Sequence, residues 1–389
     1  MSSPSPSSSP RRRATAVFAA AALVFFASWL ALQTNHFREH RIVDTPVYES
    51  YGERMRAGDV PYRDFAVEYP PGSLPVFVAP TYLGDDYETA FRRLVLVLGL
   101  VCLAFVVLAG APWWSVALVA LSPLLLGYLL VSRYDLWPAA LLAGALAALL
   151  ADRHRLGWGL LGAAMAAKLY PLVLVPIAVL WTLRRRGRRE LVRAGTIGGA
   201  VVAAAYVPFL LIAPEGVWDS LWVQLSRPLQ IESLAASLVT TFGDPDVVSS
   251  HGSQNVDGYG TLAALSSLCG VVSLGALWVG FARGPADRDR FVRYSAAAVC
   301  AFVVFGKVLS PQYLIWLVPL VALVRGWRSI AALAVAILAL GVTGLWFPGR
   351  YWDYANDFEL AWAVLLRNVL LVALLLVLSL PRPARSRSS

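Results

Sequence analysis

ATAVFAAAALVFFASWLAL, residues 14–32, runs for nineteen positions without a charge. About 20 helical residues cross a bilayer core, so this stretch is long enough to span. It follows a Ser/Pro-rich start and Arg11-Arg12-Arg13. A secretory signal has an apolar region of about 7–15 residues and a small-residue cleavage site. This run is longer and closes in Trp29-Leu30-Ala31-Leu32-Gln33, so we read it as an uncleaved first span.

The whole chain reads the same way. Of its 389 residues 58% are apolar and 15% charged, with mean hydropathy +0.63. A soluble domain carries about 25% charged residues. The composition excludes a soluble globule, a disordered chain, a collagen and a disulfide scaffold. The expected fold is an all-α polytopic membrane protein of about twelve transmembrane helices. We place spans at 14–33, 91–109, 113–131, 136–151, 157–168, 169–183, 192–213, 259–282, 291–306, 312–325, 329–347 and 359–380.

Charge orients these spans. Basic residues collect on the cytoplasmic side of membrane proteins, so the net charge of +9 reports topology rather than nucleic acid binding. The run Arg184-Arg185-Arg186-Gly187-Arg188-Arg189 anchors the cytoplasmic face. With it, 20 of 33 basic residues fall inside and 20 of 24 acids fall outside. Both termini come out cytoplasmic, in the plasma membrane. Residues 1–13 and 381–389 read as cytoplasmic tails. Residues 14–380 form one transmembrane domain with outer loops 34–90, 214–258 and 348–358. Because acids are weak topology markers, their asymmetry puts the polar chemistry on the outer face. Cys102, Cys269 and Cys300 lack metal-ligand spacing and read as small core residues.

The first outer loop opens on Asp44-Thr45-Pro46. Proline is favoured at the first position of a helix, and Gly58 is a plausible stop. Between them Val47, Tyr48, Tyr51 and Met55 share a face, which predicts an amphipathic helix on the membrane surface. The apolar stretch 73–83 is too short to span comfortably. It reads as a second interfacial or re-entrant helix, with a short span as the alternative. Asp44 thus lies near the exit of the first span.

Only two lysines occur among the 33 basic residues, Lys168 and Lys307. With Arg133 and Arg227 they fall at outer ends of spans or in outer loops. Charges near apolar spans are costly and mark functional sites by default, against the bland reading of snorkelling to the headgroups. Such cations suit a phosphate held at the bilayer edge, its lipid tail between helices. A carboxylate opposite them could serve as a base.

These pieces recur in order: Asp44, Gly58–Phe65, Tyr69-Pro70-Pro71, Arg133-Tyr134-Asp135, Lys168-Leu169-Tyr170-Pro171, Arg227–Ser233 and Ser310–Tyr313. The ordered set resembles glycosyltransferase family 87, integral-membrane enzymes of the GT-C type. The resemblance implies a hexosyltransferase with a polyprenyl-phosphate sugar donor, commonly polyprenyl-phosphate mannose, and inverting transfer on the extracytoplasmic face. Its catalytic acid maps to Asp44. Lys168, Lys307, Arg133 and Arg227 would bind the donor phosphate and stabilise its growing charge. Glu68, Tyr69, Asp135, Tyr170, Glu232, His251, Gln312 and Tyr313 are candidates for binding sugar or acceptor. The acceptor would be a glycolipid or polysaccharide. No metal and no cofactor are expected, the lipid-linked sugar being a substrate. Asp244-Pro245-Asp246 has metal-motif spacing but sits in a flexible-looking loop.

Two other classes stay open at this stage. A transporter or flippase of lipid-linked sugars would place ionisable residues near the midplane of repeated halves; here they gather at one face. An assembly protein of the envelope would not need Asp44.

Overall fold

The structure, a computed structural model, describes residues 10–34, 42–84 and 86–380. The expected tail 381–389 lies outside the described residues, and so does most of 1–13. From the N-terminus come α1 (Pro10–Ala31), α2 (Thr45–Ala57), the short α3 (Leu74–Val78) and α4 (Tyr87–Leu108). Next, α5 (Trp113–Ala120), α6 (Ser122–Leu126) and α7 (Tyr128–Ser132) make a broken run before α8 (Leu136–Leu150) and α9 (His154–Ala167). Then follow α10 (Val175–Ile212), α11 (Pro214–Ser226) and α12 (Leu234–Phe242). The C-terminal half adds α13 (Gly260–Ala282), α14 (Arg288–Val304), α15 (Leu314–Ala322), α16 (Trp327–Gly344), α17 (Tyr351–Asp357) and α18 (Ala361–Ser379).

Among the described residues, six helical segments are long and apolar enough to cross a membrane: Arg12–Ala31, Tyr87–Leu108, Tyr170–Ile212, Gly260–Ala282, Trp327–Gly344 and Ala361–Ser379. Long helices alone therefore do not reach the count of twelve. Leu136–Leu150 and Pro311–Ala322 are apolar but shorter. The expected span 113–131 is split instead, because Pro123 opens α6 and Gly127 takes a positive φ of 59° between α6 and α7. Proline removes a helix hydrogen bond, and only glycine adopts that backbone freely.

Two further expectations change. The arginine-rich stretch 184–191, a connection between the expected spans 169–183 and 192–213, is helical and belongs to α10, interrupted by a kink at Gly187. Arg, Leu and Glu are good helix formers, so only the glycine breaks the run. The all-α expectation also needs one amendment. Within residues 214–258, β1 (Val247–Ser250) pairs antiparallel with β2 (Ser253–Val256). His251 and Gly252 form the turn, both at positive φ, the geometry of a two-residue hairpin.

α9 packs between α8 and α10, while α18 packs against α16, α14 and α12. The crossing of α9 and α10 is close because two glycines meet. A Cβ on Gly162 would run into the Gly198 backbone, and one on Gly198 would come 2.8 Å from Trp158 O. Small residues let membrane helices approach in this way. Leu23, Leu108, Leu211, Val271 and Leu268 point outward and exposed, the apolar surface that lipid would cover.

At one end of the bundle, arginines close helix ends. Arg184 Nη1 donates to Gly284 O at 2.7 Å, Arg325 Nε to Gly110 O at 3.0 Å and Arg293 Nη1 to Leu378 O at 2.8 Å. Terminal carbonyls lack helix partners, and guanidinium groups suit them. Asp44, Arg133, Lys168 and Lys307 belong to other connections, those before α2, after α7, after α9 and after α14.

Candidate active site

Asp44 occupies the N-cap of α2, with Pro46 in the first turn, but its carboxylate makes no bond to the helix backbone. Arg133 Nη1 forms an ion pair with Asp44 Oδ1 instead. Tyr48 Oη donates to Asp44 Oδ2 at 3.3 Å. Arg133 Nη2 donates to Ile42 O at 3.2 Å, so the guanidinium holds both the carboxylate and the backbone two residues before it. The two partners are unequal in exposure: 28% for the Asp44 side chain against 5% for Arg133. The acid stays reachable while its partner is buried. Below it, Tyr48 packs against Phe77 at 4.6 Å, Phe91 at 5.5 Å and Tyr69 and Tyr134 at 5.7 Å. Rings at these separations fix one another.

The neighbouring half of the site is built on Asp135, which is fully buried. Lys168 Nζ donates to Asp135 Oδ1 at 2.6 Å, and Trp316 Nε1 donates to the same oxygen at 2.7 Å. The ammonium lies 4.7 Å from the Tyr134 ring, 5.0 Å from Trp316 and 5.7 Å from Tyr313. A desolvated cation over aromatic faces is held strongly. Trp316 stacks between Tyr170 and Tyr313, each with its centroid 4.1 Å away. Asp135 Oδ2 and Tyr170 Oη are buried without a hydrogen-bond partner. The tripeptide Arg133-Tyr134-Asp135 thus reaches the acid with its first residue and the lysine with its third.

Arg227 and Lys307 come together elsewhere in the site. Both line a cavity of about 480 Å³, with Asp257, Tyr259 and the small residues Gly260, Ala263, Ala264 and Ser267 of α13. Lys307 Nζ donates to Leu225 O at 2.6 Å, a carbonyl in the last turn of α11. Arg227 Nη2 donates to His251 O at 3.0 Å, and its Nε is buried without a partner. Neither cation has a carboxylate partner within ion-pair distance among the described residues. Burial and the nearby Arg227 hold the Lys307 ammonium below the usual lysine range, as expected for two like charges sharing a partly dry wall.

Glu232 joins these halves. It is buried and lies within electrostatic range of Arg367, Arg133 and Arg227. Its Oε2 accepts from Gln230 Nε2, while Oε1 has no partner. Burial pushes the carboxyl up to about 7, opposed by Arg367, Arg133, Arg227 and Gln230. Lys168 likewise lies within electrostatic range of Arg133 and Arg227.

The other sequence candidates sit nearby or at the rim. Tyr69 packs edge-on to Tyr134 at 5.1 Å. Glu68 is exposed, and its backbone carbonyl accepts from Gln224 Nε2 at 3.1 Å. His251 meets Arg227 through its carbonyl, and its residue is exposed. Gln312 Oε1 accepts from Ser310 Oγ at 3.1 Å. Of the thirteen candidates, the structure brings Asp44 to Arg133, Asp135 to Lys168, and Arg227 to Lys307 at one cavity. Among the described residues, the Glu68 and Gln312 side chains and the His251 ring make no hydrogen bond or ion pair with those pairs.

Arg367 was not anticipated. It lies inside α18, fully buried, and Nη2 donates to Glu232 O at 2.8 Å. The signal was available: it is the one charge in the otherwise apolar run Ala361–Ser379, and a charge within a span marks a site by default. Among the described residues, no group of three His, Cys, Asp or Glu side chains assembles as a metal-ligand set. Asp244 and Asp246 fall in the turn between α12 and β1.

Fold and site together define a helical membrane protein with a reachable carboxylate near clustered cations. The model of glycosyltransferase family 87 matches residues 67–311, well over half of the chain, and the chain belongs to that family. The matched stretch includes Glu68, Arg133, Lys168, Arg227, Glu232 and Lys307; Asp44, Gln312 and Tyr313 lie outside it. Among solved structures, ArnT from Cupriavidus metallidurans bound to undecaprenyl phosphate is similar, at 16% identity and a TM-score of 0.49. That likeness covers 93% of this chain and 76% of ArnT. No curated protein sequence matches.

Proposed function

We propose that this glycosyltransferase is inverting and moves a sugar, mannose in our reading, from a polyprenyl-phosphate donor to a glycolipid or polysaccharide. The transfer takes place on the extracytoplasmic face, with both termini cytoplasmic. Asp44 is the base. It takes the proton of the acceptor hydroxyl as that oxygen attacks the anomeric carbon. The bond from the anomeric carbon to the phosphate oxygen breaks, and the lipid phosphate leaves with one more negative charge. Phosphate is a good leaving group, so no general acid is needed.

The observation that carries the reading is the division of cations. Arg133 and Lys168 are matched by Asp44 and Asp135. Among the described residues Arg227 and Lys307 hold only neutral oxygens, two backbone carbonyls and the Gln224 side-chain amide, and they line a cavity walled by small residues of an apolar helix. That second pair is where an added phosphate gains most, because preorganised cations in a partly dry site stabilise developing charge. The groove along α13 suits a lipid tail. Arg133 is then the partner that keeps Asp44 in place rather than a phosphate ligand.

The test is transfer from radiolabelled polyprenyl-phosphate mannose to candidate lipid acceptors by the purified full-length chain. Asp44→Asn should slow transfer by about 10²–10⁴-fold while donor still binds. Full activity in that variant ends the assignment of the base. Movement of substrate across vesicles with no glycosidic bond formed would favour a transporter instead.

A further inference from the structure

The segment Arg227–Ser233 carries Arg227 at one end and Glu232 near the other, and it is held from several sides. Gln230 N donates to Lys307 O at 2.9 Å, and Gln230 Oε1 accepts from Leu309 N at 3.0 Å. This one residue therefore fastens the Arg227 segment to the Lys307 segment. From the hairpin, Val256 N donates to Leu229 O at 2.9 Å and Gln254 O accepts from Ile231 N at 3.1 Å.

The remaining supports come from the C-terminal part of the chain, beyond the stretch that matches the family. Tyr354 Oη of α17 donates to Ile231 O at 2.6 Å. Arg367 Nη2 and Asn368 Nδ2 of α18 donate to Glu232 O at 2.8 and 3.2 Å. Asn368 Nδ2 also reaches Ser237 Oγ at 2.9 Å. Arg367 Nε and Nη1 have no hydrogen-bond partner, and its guanidinium lies 5.6 Å from the Trp346 ring.

A charged side chain inside a span is costly and needs a compensating role. Asn368, which is neutral, already serves the Glu232 carbonyl. What Arg367 adds is a full positive charge in electrostatic range of the Glu232 carboxyl, on the buried side of the segment that ends in Arg227.

We propose that Arg367 is a positioning residue for lipid-phosphate binding, holding with Tyr354 the Arg227–Ser233 segment so that Arg227 and Lys307 face one cavity. This rests on the reading of that cavity as the donor-phosphate site. Arg367 touches neither donor nor acceptor; it acts through the Glu232 carbonyl, and Tyr354 through that of Ile231.

The experiment measures affinity of the purified full-length chain for two lipids, undecaprenyl phosphate and undecaprenol. They share a tail and differ in the phosphate, so the ratio of their affinities isolates recognition of the anion. Arg367→Gln should lower that ratio about tenfold, since misplacing a binding group slightly is enough to weaken it strongly. Arg367→Lys, which keeps the charge and a donor, should recover most of the ratio. Tyr354→Phe should lower it about threefold, the effect of one lost hydrogen bond. A purely structural role would weaken both lipids together and leave the ratio unchanged, and that result overturns the proposal. If Arg367→Gln does not fold, an unchanged ratio in Tyr354→Phe overturns it equally. Two controls separate the layers of the argument. A wild-type ratio in the double variant Arg227→Gln, Lys307→Gln means the cavity is not the phosphate site. A collapsed ratio there with a normal one in Arg367→Gln and Tyr354→Phe removes only the positioning role.

Discussion

The two lysines of this protein sit in opposite chemical situations. Lys168 is enclosed by a carboxylate and three aromatic rings, and Arg133 beside it is paired to Asp44. Lys307 holds a helix-end carbonyl at the wall of a cavity, and Arg227 beside it holds a carbonyl of the hairpin turn. The first pair is electrically matched and organises the acid. The second is not matched, and an anion can improve its surroundings. A charge count would have treated the four as equals; their partners divide the work.

The sharpest way to break this contrast is at the acid. Asp44→Asn should slow transfer by about 10²–10⁴-fold, the usual worth of a general base, with donor affinity retained; single-turnover transfer of radiolabelled sugar measures it. Lys168→Met comes next, because it leaves Asp135 charged and buried without its partner. Removing one member of a buried pair costs about 3–5 kcal/mol, which a lowered thermal midpoint in detergent would report. Equal stability would show that Lys168 is not the match for Asp135. Third, Arg227→Gln and Lys307→Gln should each weaken undecaprenyl phosphate binding about tenfold, as loss of a charge-assisted contact does, with the thermal midpoint near wild type.

A smaller effect concerns pH. The Glu232 carboxyl is raised from its ordinary 4.5 to about 7. The folded state therefore binds the proton more tightly than the unfolded state. That contribution to stability is present in full below the ordinary value and is lost as pH rises through about 7. Glu232→Gln should flatten the fall of the thermal midpoint over this window; an unchanged slope would place the titration elsewhere. The smallest expected change is His251→Ala. Its carbonyl, not its exposed ring, meets Arg227, so transfer should stay within about twofold, as surface substitutions do. A large loss would put the imidazole on the substrate.

Much of this arrangement was legible in residue order, and the rest was hidden for identifiable reasons. The start of α2 could be read from Asp44-Thr45-Pro46 because proline and capping residues act locally. The hairpin at His251-Gly252 left a turn signal that the loop-like composition masked. The ion pair between Asp44 and Arg133 could not be read, since periodicity reports which face a residue takes and says nothing of a partner far along the chain. The same limit left Arg133 and Lys168 undivided from Arg227 and Lys307, whose partners in the structure differ. Arg367 was missed for a different reason. Cations at span ends stand out in the sequence, yet snorkelling competes there as an explanation, while a guanidinium in mid-helix has no such escape.

The bond from Lys307 to the end of α11 has a consequence for lipid choice. Its ammonium spends one of three N–H donors on that carbonyl and keeps two for an anion. If the cavity is the donor-phosphate site proposed above, a neutral headgroup offers those two donors only a dipole, whereas a phosphate offers a full charge. Preference for a charged lipid then rests on donors that the end of α11 already holds in place.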